Sequence, residues 1–570
     1  MNFLFLYICI IWTFWFVRQE KIAFFYVYLW QLKEYHWGRF IDHFRTEKGR
    51  RLIFHPIKII KFAIFLSYWL VAISNSIALI WLSLVSIIYG LEFLITLKNF
   101  NKKTLKKPVF TPKALFLLIA ISLIFSMILI YTFLNEIILT NFINGLSINP
   151  IFILLLVDII SPIIISGFIL ALQPLSVIYR LIVIAKAKKK RLEFKNLIVI
   201  GITGSYGKTS TKEFLKTILE QNFRILATKE HQNSEIAIAR CILNDLKSEH
   251  QIFICEMGAY NKGKIKEVCN IIKPNIGIIT GVNEQHLALF GSKENLISAE
   301  GGIELAESLP KNGTLIINWN NETIRNTKYK TPSFAKDSAG RQNIRYCSTN
   351  EKIDIWTENI KIEKNWLYFK VCDKAGDNAD FKINFIGGQN IENILLASAC
   401  AKELKMTLIE IAKACEKIQT KQSTMKLIQS PTLNGFQSRT FDIIDSTYSI
   451  NPNGIMAALE HLKLWSGKKV IIMPCLIELG PTAKEIHQKV GKKIGETCDL
   501  AIIITKDWFE EIKKTAIITG IDRIDPENIV FLENSKEILE KIKPYCQPES
   551  VILLEGRLPQ KLIETLKNEQ

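Results

Sequence analysis

The sequence predicts an α/β protein of two lobes preceded by a helical membrane region. Three observations predict it. Long apolar runs separated by basic loops fill the first 195 residues. A strand-like run, Leu197 to Ile202, passes through a glycine turn into Lys208-Thr209 and a helical pattern. From Lys426 onward, short apolar runs alternate with helical patterns. At 570 residues the chain is too long for one ordinary domain. It divides into a membrane region (1–195), a central nucleotide-binding domain (196–425) and a Rossmann-like domain (426–570).

In the membrane region, Phe3 to Val17 reads as an apolar anchor: no charge precedes it and no small-residue cleavage site follows. Phe62 to Thr96 is a long apolar run broken near Ser74-Asn75-Ser76. Leu115 to Ile138 and Ile151 to Leu172 each exceed the roughly 20 residues that span a bilayer. Pro162 and Pro174 are expected to kink or end the last run.

Flanking charge sets the topology. The segments 18–61, 98–113 and 186–191 are rich in Lys and Arg and face the cytoplasm by the positive-inside rule, while the uncharged 141–150 faces outward. The 62–96 run then starts and ends inside, as a tight pair of short helices or a re-entrant hairpin. This describes a multi-pass protein of the inner (cytoplasmic) membrane with its α/β lobes in the cytoplasm. In the first loop, Lys33, Glu34, Tyr35, His36, Trp37, Arg39, Asp42, His43 and Arg45 form either a head-group or substrate surface or an amphipathic interfacial helix.

The net charge of +18 is concentrated between the apolar runs, which points to membrane lipid rather than nucleic acid. The 11 cysteines include no CxxC pair, so they read as reduced thiols, and no zinc-site spacing appears.

The stretch Ile200 to Thr211 carries the chemistry. Gly204 and Gly207 let main-chain N–H groups approach phosphates, and the following helix N-terminus adds positive potential. Ser205, Thr209 and Ser210 add hydroxyls to the cradle. Lys208 would neutralise the terminal phosphates of ATP, and the Thr209 hydroxyl is offered to Mg²⁺. Ile202 stands where GxxxxGK[ST] has its first glycine. Further on, Gln251 to Cys255 reads as a buried strand ending in Glu256, a carboxylate positioned to reach Mg²⁺. A second strand, Ile276 to Thr280, leads to Asn283 and His286, the latter a metal or phosphate ligand candidate.

With these in view the chain resembles the ATP-dependent Mur ligases of peptidoglycan synthesis. The resemblance rests on Thr203-Gly-Ser-Tyr-Gly-Lys-Thr209, Glu256-Met-Gly-Ala259, Asn283 with His286, and Gly387-Gly-Gln-Asn390 with Asn393. Asp445-Ser-Thr-Tyr-Ser-Ile-Asn-Pro452 and Glu478-Leu-Gly480 with His487 resemble the type that adds D-alanyl-D-alanine. It covers about residues 196 to 570.

The resemblance implies that ATP phosphorylates a substrate carboxylate and that an amine attacks the acyl phosphate. It implies Lys208 on the γ-phosphate, Thr209 and Glu256 on one Mg²⁺, His286 on a second, and Asn283, Asn390 and Asn393 near the nucleotide. It further implies that the loop holding Asp445, Tyr448 and Asn451 closes over ATP. The partners implied are a UDP-sugar-peptide or lipid-linked carboxylate and an amine such as D-Ala-D-Ala.

The departures are specific. Glu300 stands where the family often has a carbamylated lysine, and is either a genuine carboxylate doing that work or an ordinary helix-face glutamate. Thr424-Met425 replaces the family's Gly-Arg, and Glu555-Gly-Arg557 its Lys-Gly-Ser. Two alternatives remain: a related ligase making another amide, and a membrane transporter regulated by a nucleotide domain. The latter needs polar groups within the spans, whose acidic residues are Glu92, Glu136 and Asp158.

Overall fold

The structure is a computed structural model. It describes residues 3–567 except 34, 36, 73–74, 103, 144–148, 231, 330–342, 420–424, 430–440, 448–449 and 518–523. Two compact units emerge, Met1–Tyr179 and Arg180–Gln570.

The first unit is all helix. Its long elements are Phe3–Leu32, Pro56–Leu66, Asn75–Asn101, Pro112–Ile143 and Asn149–Ala171. Among the described residues four stretches are long and apolar enough to cross a membrane: Gly49–Leu70, Ser76–Asn101, Pro112–Leu134 and Pro150–Glu193. The helix that carries the expected Phe3–Val17 anchor runs on through Arg18, Glu20 and Lys21 to Leu32 and packs against the helices Asn75–Asn101, Pro112–Ile143 and Asn149–Ala171. Trp15, Ala23, Val27 and Trp30 along it are fully buried.

The expected short pair at 62–96 is corrected. Its second arm, Asn75–Asn101, has 27 residues, about 40 Å at the α-helical rise. Its first arm begins at Pro56 and ends in a 3₁₀ turn, Ser67–Ala72. Together the two arms extend past both ends of the apolar run, because the helices continue into the basic flanks. Pro162 lies inside its helix without ending it, and Pro174 falls in the first turn of helix Gln173–Glu193, where a missing N–H costs nothing.

The second unit starts at Arg180, ahead of the boundary drawn at 195. Val183, Ile184 and Ala187 join its core, and the Arg191 guanidinium donates to the carbonyls of Ile272, Phe194 and Leu197. Two sheets follow. The first holds β1 (Ile198–Thr203), β2 (Ile225–Ala227), β3 (Ile252–Glu256), β4 (Ile276–Ile279), β5 (Thr314–Asn318), β6 (Ile344–Ser348), β7 (Ile355–Ile362), β8 (Leu367–Asp373) and β9 (Asn378–Ile383), in the order β2-β3-β1-β4-β5-β6-β7-β8-β9. Neighbours from β2 to β7 run parallel; β8 and β9 are antiparallel additions.

The composition explains the difference. β3 is buried along its whole length, as a strand covered on both faces must be. β9 alternates exposed and buried residues, as an antiparallel strand with one wet face does. The register pairs Ile202 with Glu256 and Ile278, so the phosphate loop, Glu256 and the loop after β4 leave the sheet at the same end.

The second sheet holds β10 (Lys426–Gln429), β11 (Asp442–Ser446), β12 (Lys469–Met473), β13 (Leu500–Ile503), β14 (Ile529–Phe531) and β15 (Val551–Glu555), in the order β10-β11-β15-β12-β13-β14. All but β10 are parallel to their neighbours, the Rossmann-like arrangement expected. Helices Pro452–Leu462 and Ala483–Thr497 pack on it.

Candidate active site

The turn after β1 needs its glycines. Gly204 has φ +145° and Gly207 φ +77°, conformations that favour glycine. A Cβ at Gly207 would lie 2.5 Å from Asn393 Oδ1, and one at Gly204 2.1 Å from Thr280 Oγ1. The helix Lys208–Leu219 begins directly after Gly207, so its free N–H groups face the turn. The Lys208 ammonium donates to the carbonyls of Gly204 and Ser205.

A cleft of about 310 Å³ opens in front of this turn. Ser205, Gly207, Lys208, Thr209, Ser210, Glu256, His286, Asn390, Asn393 and Asn451 line it together, so most of the residues singled out in the sequence meet in one place. Glu256 is held by Asn233, whose Nδ2 donates to Oε1 at 3.2 Å, and by Lys212, whose Nζ lies 3.5 Å from Oε2. Lys212 is itself fully buried and donates to the Thr228 carbonyl at 2.8 Å.

Glu300 does not sit on a solvent-facing helix surface. It caps the helix Lys293–Ala299 and is 2% exposed. Its Oε2 accepts from Ser205 Oγ at 2.7 Å and its Oε1 lies 2.9 Å from His286 Nδ1. Burial pushes the Glu300 carboxyl up, but His286, Lys208 and Ser205 outweigh it, and the net effect holds the group below its ordinary value. In the neutral tautomer that donates from Nδ1 to Glu300, the other ring nitrogen of His286 is an acceptor.

Asn283 does not line the cleft. Its main-chain N–H donates to Ser205 Oγ at 3.2 Å, and its Nδ2 donates to Asn453 Oδ1 of the second sheet's helix at 2.9 Å. Gln285 Nε2 adds a bond to the Ile450 carbonyl at 3.0 Å. Asn390 and Asn393 are buried, and Asn393 Oδ1 accepts from Thr211 Oγ1 at 3.2 Å. Asn451 caps its helix by accepting from the Gly454 N–H at 2.9 Å. Asp445 is not brought to the cleft: its Oδ1 accepts from the Thr447 N–H and hydroxyl, shaping the turn while Ser446 lines the cleft instead. Tyr448 and Thr424 lie outside the described residues. His487 is structural, accepting from the Leu476 N–H at 3.0 Å and contacting the Ala483 carbonyl at 2.6 Å.

Several cleft residues carry no motif signal, among them Asn233 and Asn453. Asn233 was discoverable only as part of the polar run before helix Glu235–Asp245. Glu555, at the end of β15 beside Ser446, is fully buried with neither oxygen in a well-formed hydrogen bond. Burial pushes its carboxyl up to about 8; the nearby Ser446 hydroxyl offsets part of this and the Asp445 charge adds to it.

The residues present suit a nucleotide with Mg²⁺. The glycine cradle is kept clear of side chains, and the cleft offers a hydroxyl, a carboxylate and an imidazole. The described residues hold no cluster of three His, Cys, Asp or Glu ligands. Mg²⁺ commonly takes one or two protein ligands and completes its shell with phosphate oxygens and water.

The chain matches the Mur ligase middle domain over residues 202–401 and the Mur ligase glutamate ligase domain over residues 434–558. These two matches cover more than half of the sequence, and the chain belongs to the Mur ligase family. Within that family it is similar to the UDP-N-acetylmuramoyl-tripeptide--D-alanyl-D-alanine ligase of Buchnera aphidicola, 29% identical over 320 residues, which are 55% of this chain and 66% of that enzyme. The chain thus spans just under two thirds of that relative's length. Its fold is similar to that of MurF from Acinetobacter baumannii, with TM-score 0.56, 24% identity and coverage of 68% of this chain and 79% of that one. It is also similar to MurF ligase from Thermotoga maritima, solved in complex with ADP, with TM-score 0.55, 20% identity and coverage of 68% and 83%.

Proposed function

We propose that this chain is a membrane-anchored, ATP-dependent amide ligase of peptidoglycan precursor synthesis, adding D-Ala-D-Ala to UDP-MurNAc-tripeptide. The observation that carries the reading is the meeting of Lys208, Glu256 and His286 in one cleft that also takes Asn451 and Asn453 from the second sheet. The names of the relatives and the ADP in the Thermotoga structure support the substrates. The four apolar helical stretches support the membrane anchor.

In this reading the main-chain N–H groups of 204–208 receive the ATP phosphates, and Lys208 turns from the Gly204 carbonyl to the terminal phosphate. Magnesium, one ion held by Thr209 and Glu256 and a second by His286, would neutralise phosphate charge as the acceptor carboxylate attacks. Glu300 keeps His286 in one tautomer and one orientation. Ser205 is held by the same carboxylate, which stiffens the loop. Asn283 and Gln285 tie the second lobe down, so that water is excluded from the acyl phosphate while the amine attacks. Such catalysis is mainly positioning and charge neutralisation.

The test is a coupled assay on purified full-length protein. ADP and phosphate are expected only when a carboxylate acceptor and D-Ala-D-Ala are both present. ATP turnover that needs neither would overturn the reading. A lipid-linked carboxylate acceptor is the second reading, favoured by the apolar helices. Supplying each acceptor separately decides between them.

A further inference from the structure

The helical unit contains its own cavity, of about 490 Å³, which the ligase chemistry does not use. Two carboxylates on apolar helices, Glu92 and Asp158, stand in its wall. Both are already matched. Lys61 bridges them, 2.5 Å from Glu92 Oε2 and in direct contact with Asp158 Oδ2. Arg18 Nε lies 3.0 Å from Glu92 Oε1, and Gln19 Nε2 donates to Asp158 Oδ1 at 3.0 Å. Two positive and two negative groups therefore cancel within the wall.

Three further cations face the same cavity: Lys21, Lys58 and Lys106. Lys21 donates to Thr96 Oγ1 at 3.3 Å, and Lys58 to the Leu52 carbonyl at 2.7 Å. Among the described residues neither has a carboxylate within ion-pair distance. The cavity is thus an apolar chamber with uncancelled positive charge, and a charge in such surroundings calls for a counter-charge. Ile22, Phe25, Ile95, Ile159 and Pro162 supply apolar wall beside it. The volume falls in the range of about 300–1,000 Å³ typical of small-molecule sites.

We infer that this cavity binds an anionic amphiphile, a lipid bearing a phosphate monoester, with Lys21, Lys58 and Lys106 on the phosphate and the chain along Phe25 and Ile159. Depth favours a lipid over a soluble anion. Lys58 lies in the first turn of one helix and Asn99 in the last turn of another, both next to loops that the charge pattern assigns to the cytoplasm. The phosphate would then lie at head-group level of the inner leaflet, with the chain in the hydrocarbon. The inference rests on the membrane reading of this unit and not on the ligase reaction.

The experiment uses full-length protein in phosphatidylcholine nanodiscs, without ATP or ligase substrates, so its failure leaves the ligase reading standing. Retention of the protein in membranes through an alkaline carbonate wash checks the membrane reading separately. Calorimetric titrations compare 1-oleoyl lysophosphatidic acid, 1-oleoylglycerol and glycerol 3-phosphate. Saturable binding is expected for the first, with at least tenfold weaker binding of the neutral lipid and of the soluble phosphate. Lys21→Gln/Lys58→Gln protein, shown by its melting curve to be folded, is expected to bind at least tenfold more weakly. Should that variant unfold, Lys106→Gln, on the connecting loop, is expected to weaken binding several-fold instead. Equal binding of 1-oleoylglycerol, equal binding of glycerol 3-phosphate, or wild-type affinity in the folded variant would each overturn the inference.

Discussion

His286 Nδ1 and Glu300 Oε1 lie 2.9 Å apart, and the same carboxylate accepts from Ser205 in the phosphate loop. One buried acid thus fixes both a candidate metal-ligating ring and the loop that receives phosphate. Replacing it with Gln keeps the size but removes the charge. Glu300→Gln is expected to lower turnover by about 10–100-fold, the usual cost of losing a ligand-orienting partner. It should also raise the Mg²⁺ concentration needed for half-maximal rate. Titrating phosphate release against Mg²⁺ checks both; an unchanged Mg²⁺ curve at full rate makes Glu300 a packing residue.

Lys208→Ala should abolish ATP-dependent ligation, with a loss of at least about 100-fold, because one preorganised charge on the transferring phosphoryl group is worth that much. Single-turnover ADP formation is the readout. Wild-type turnover in this variant would remove Lys208 from the site.

Asn283 and Asn453 meet at 2.9 Å between the two sheets. If this bond holds the lobes closed, Asn283→Ala and Asn453→Ala should each lower activity, and the double variant should do little more harm than either. A coupling of about 0.5–3 kcal/mol in the double-mutant cycle is expected, and additive losses would show that the two side chains act apart.

Glu555 gives a pH signature. Its folded-state pKa, about 8, lies above its unfolded value, so between roughly pH 4.5 and pH 8 the folded chain binds more protons than the unfolded one. Stability is therefore full at the acid end of that window and falls as pH rises through it, by at most about 5 kcal/mol. Glu555→Gln should flatten this dependence and melt higher than wild type at pH 8. Thermal scans at pH 5 and pH 8 compare the two slopes, and parallel slopes would mean that Glu555 is already ionised or solvated.

The sequence makes the phosphate cradle legible because few backbones accept φ near +77° and +145°, and glycines at 204 and 207 announce them. Glu256 is legible for a different reason: an unbroken apolar strand marks where its carboxylate must emerge. Asn233 is not, because its partnership with Glu256 spans 23 residues and depends on how β2 and β3 pair. A motif-led reading also passes over Asn378–Ile383, although Ala379, Phe381 and Ile383 alternate with polar neighbours as an antiparallel strand should. The first helix shows the limit from the other side. Composition stops the apolar run at Val17, yet the helix continues, because Arg18 finds Glu92 and Gln19 finds Asp158 in neighbouring helices. A local pattern cannot reveal such distant compensation.

The second lobe also meets the first through main chain alone, where the Ala288 N–H donates to the Glu478 carbonyl at 3.2 Å. Glu478 and Gly480 there take φ +67° and +60°, and a Cβ at Gly480 would stand 3.3 Å from the Ala288 nitrogen. Side-chain truncation leaves that peptide-to-peptide link untouched, so a scan replacing residues along the seam with alanine would miss it almost everywhere. Gly480 is the position at which such a scan would register the joint between the lobes.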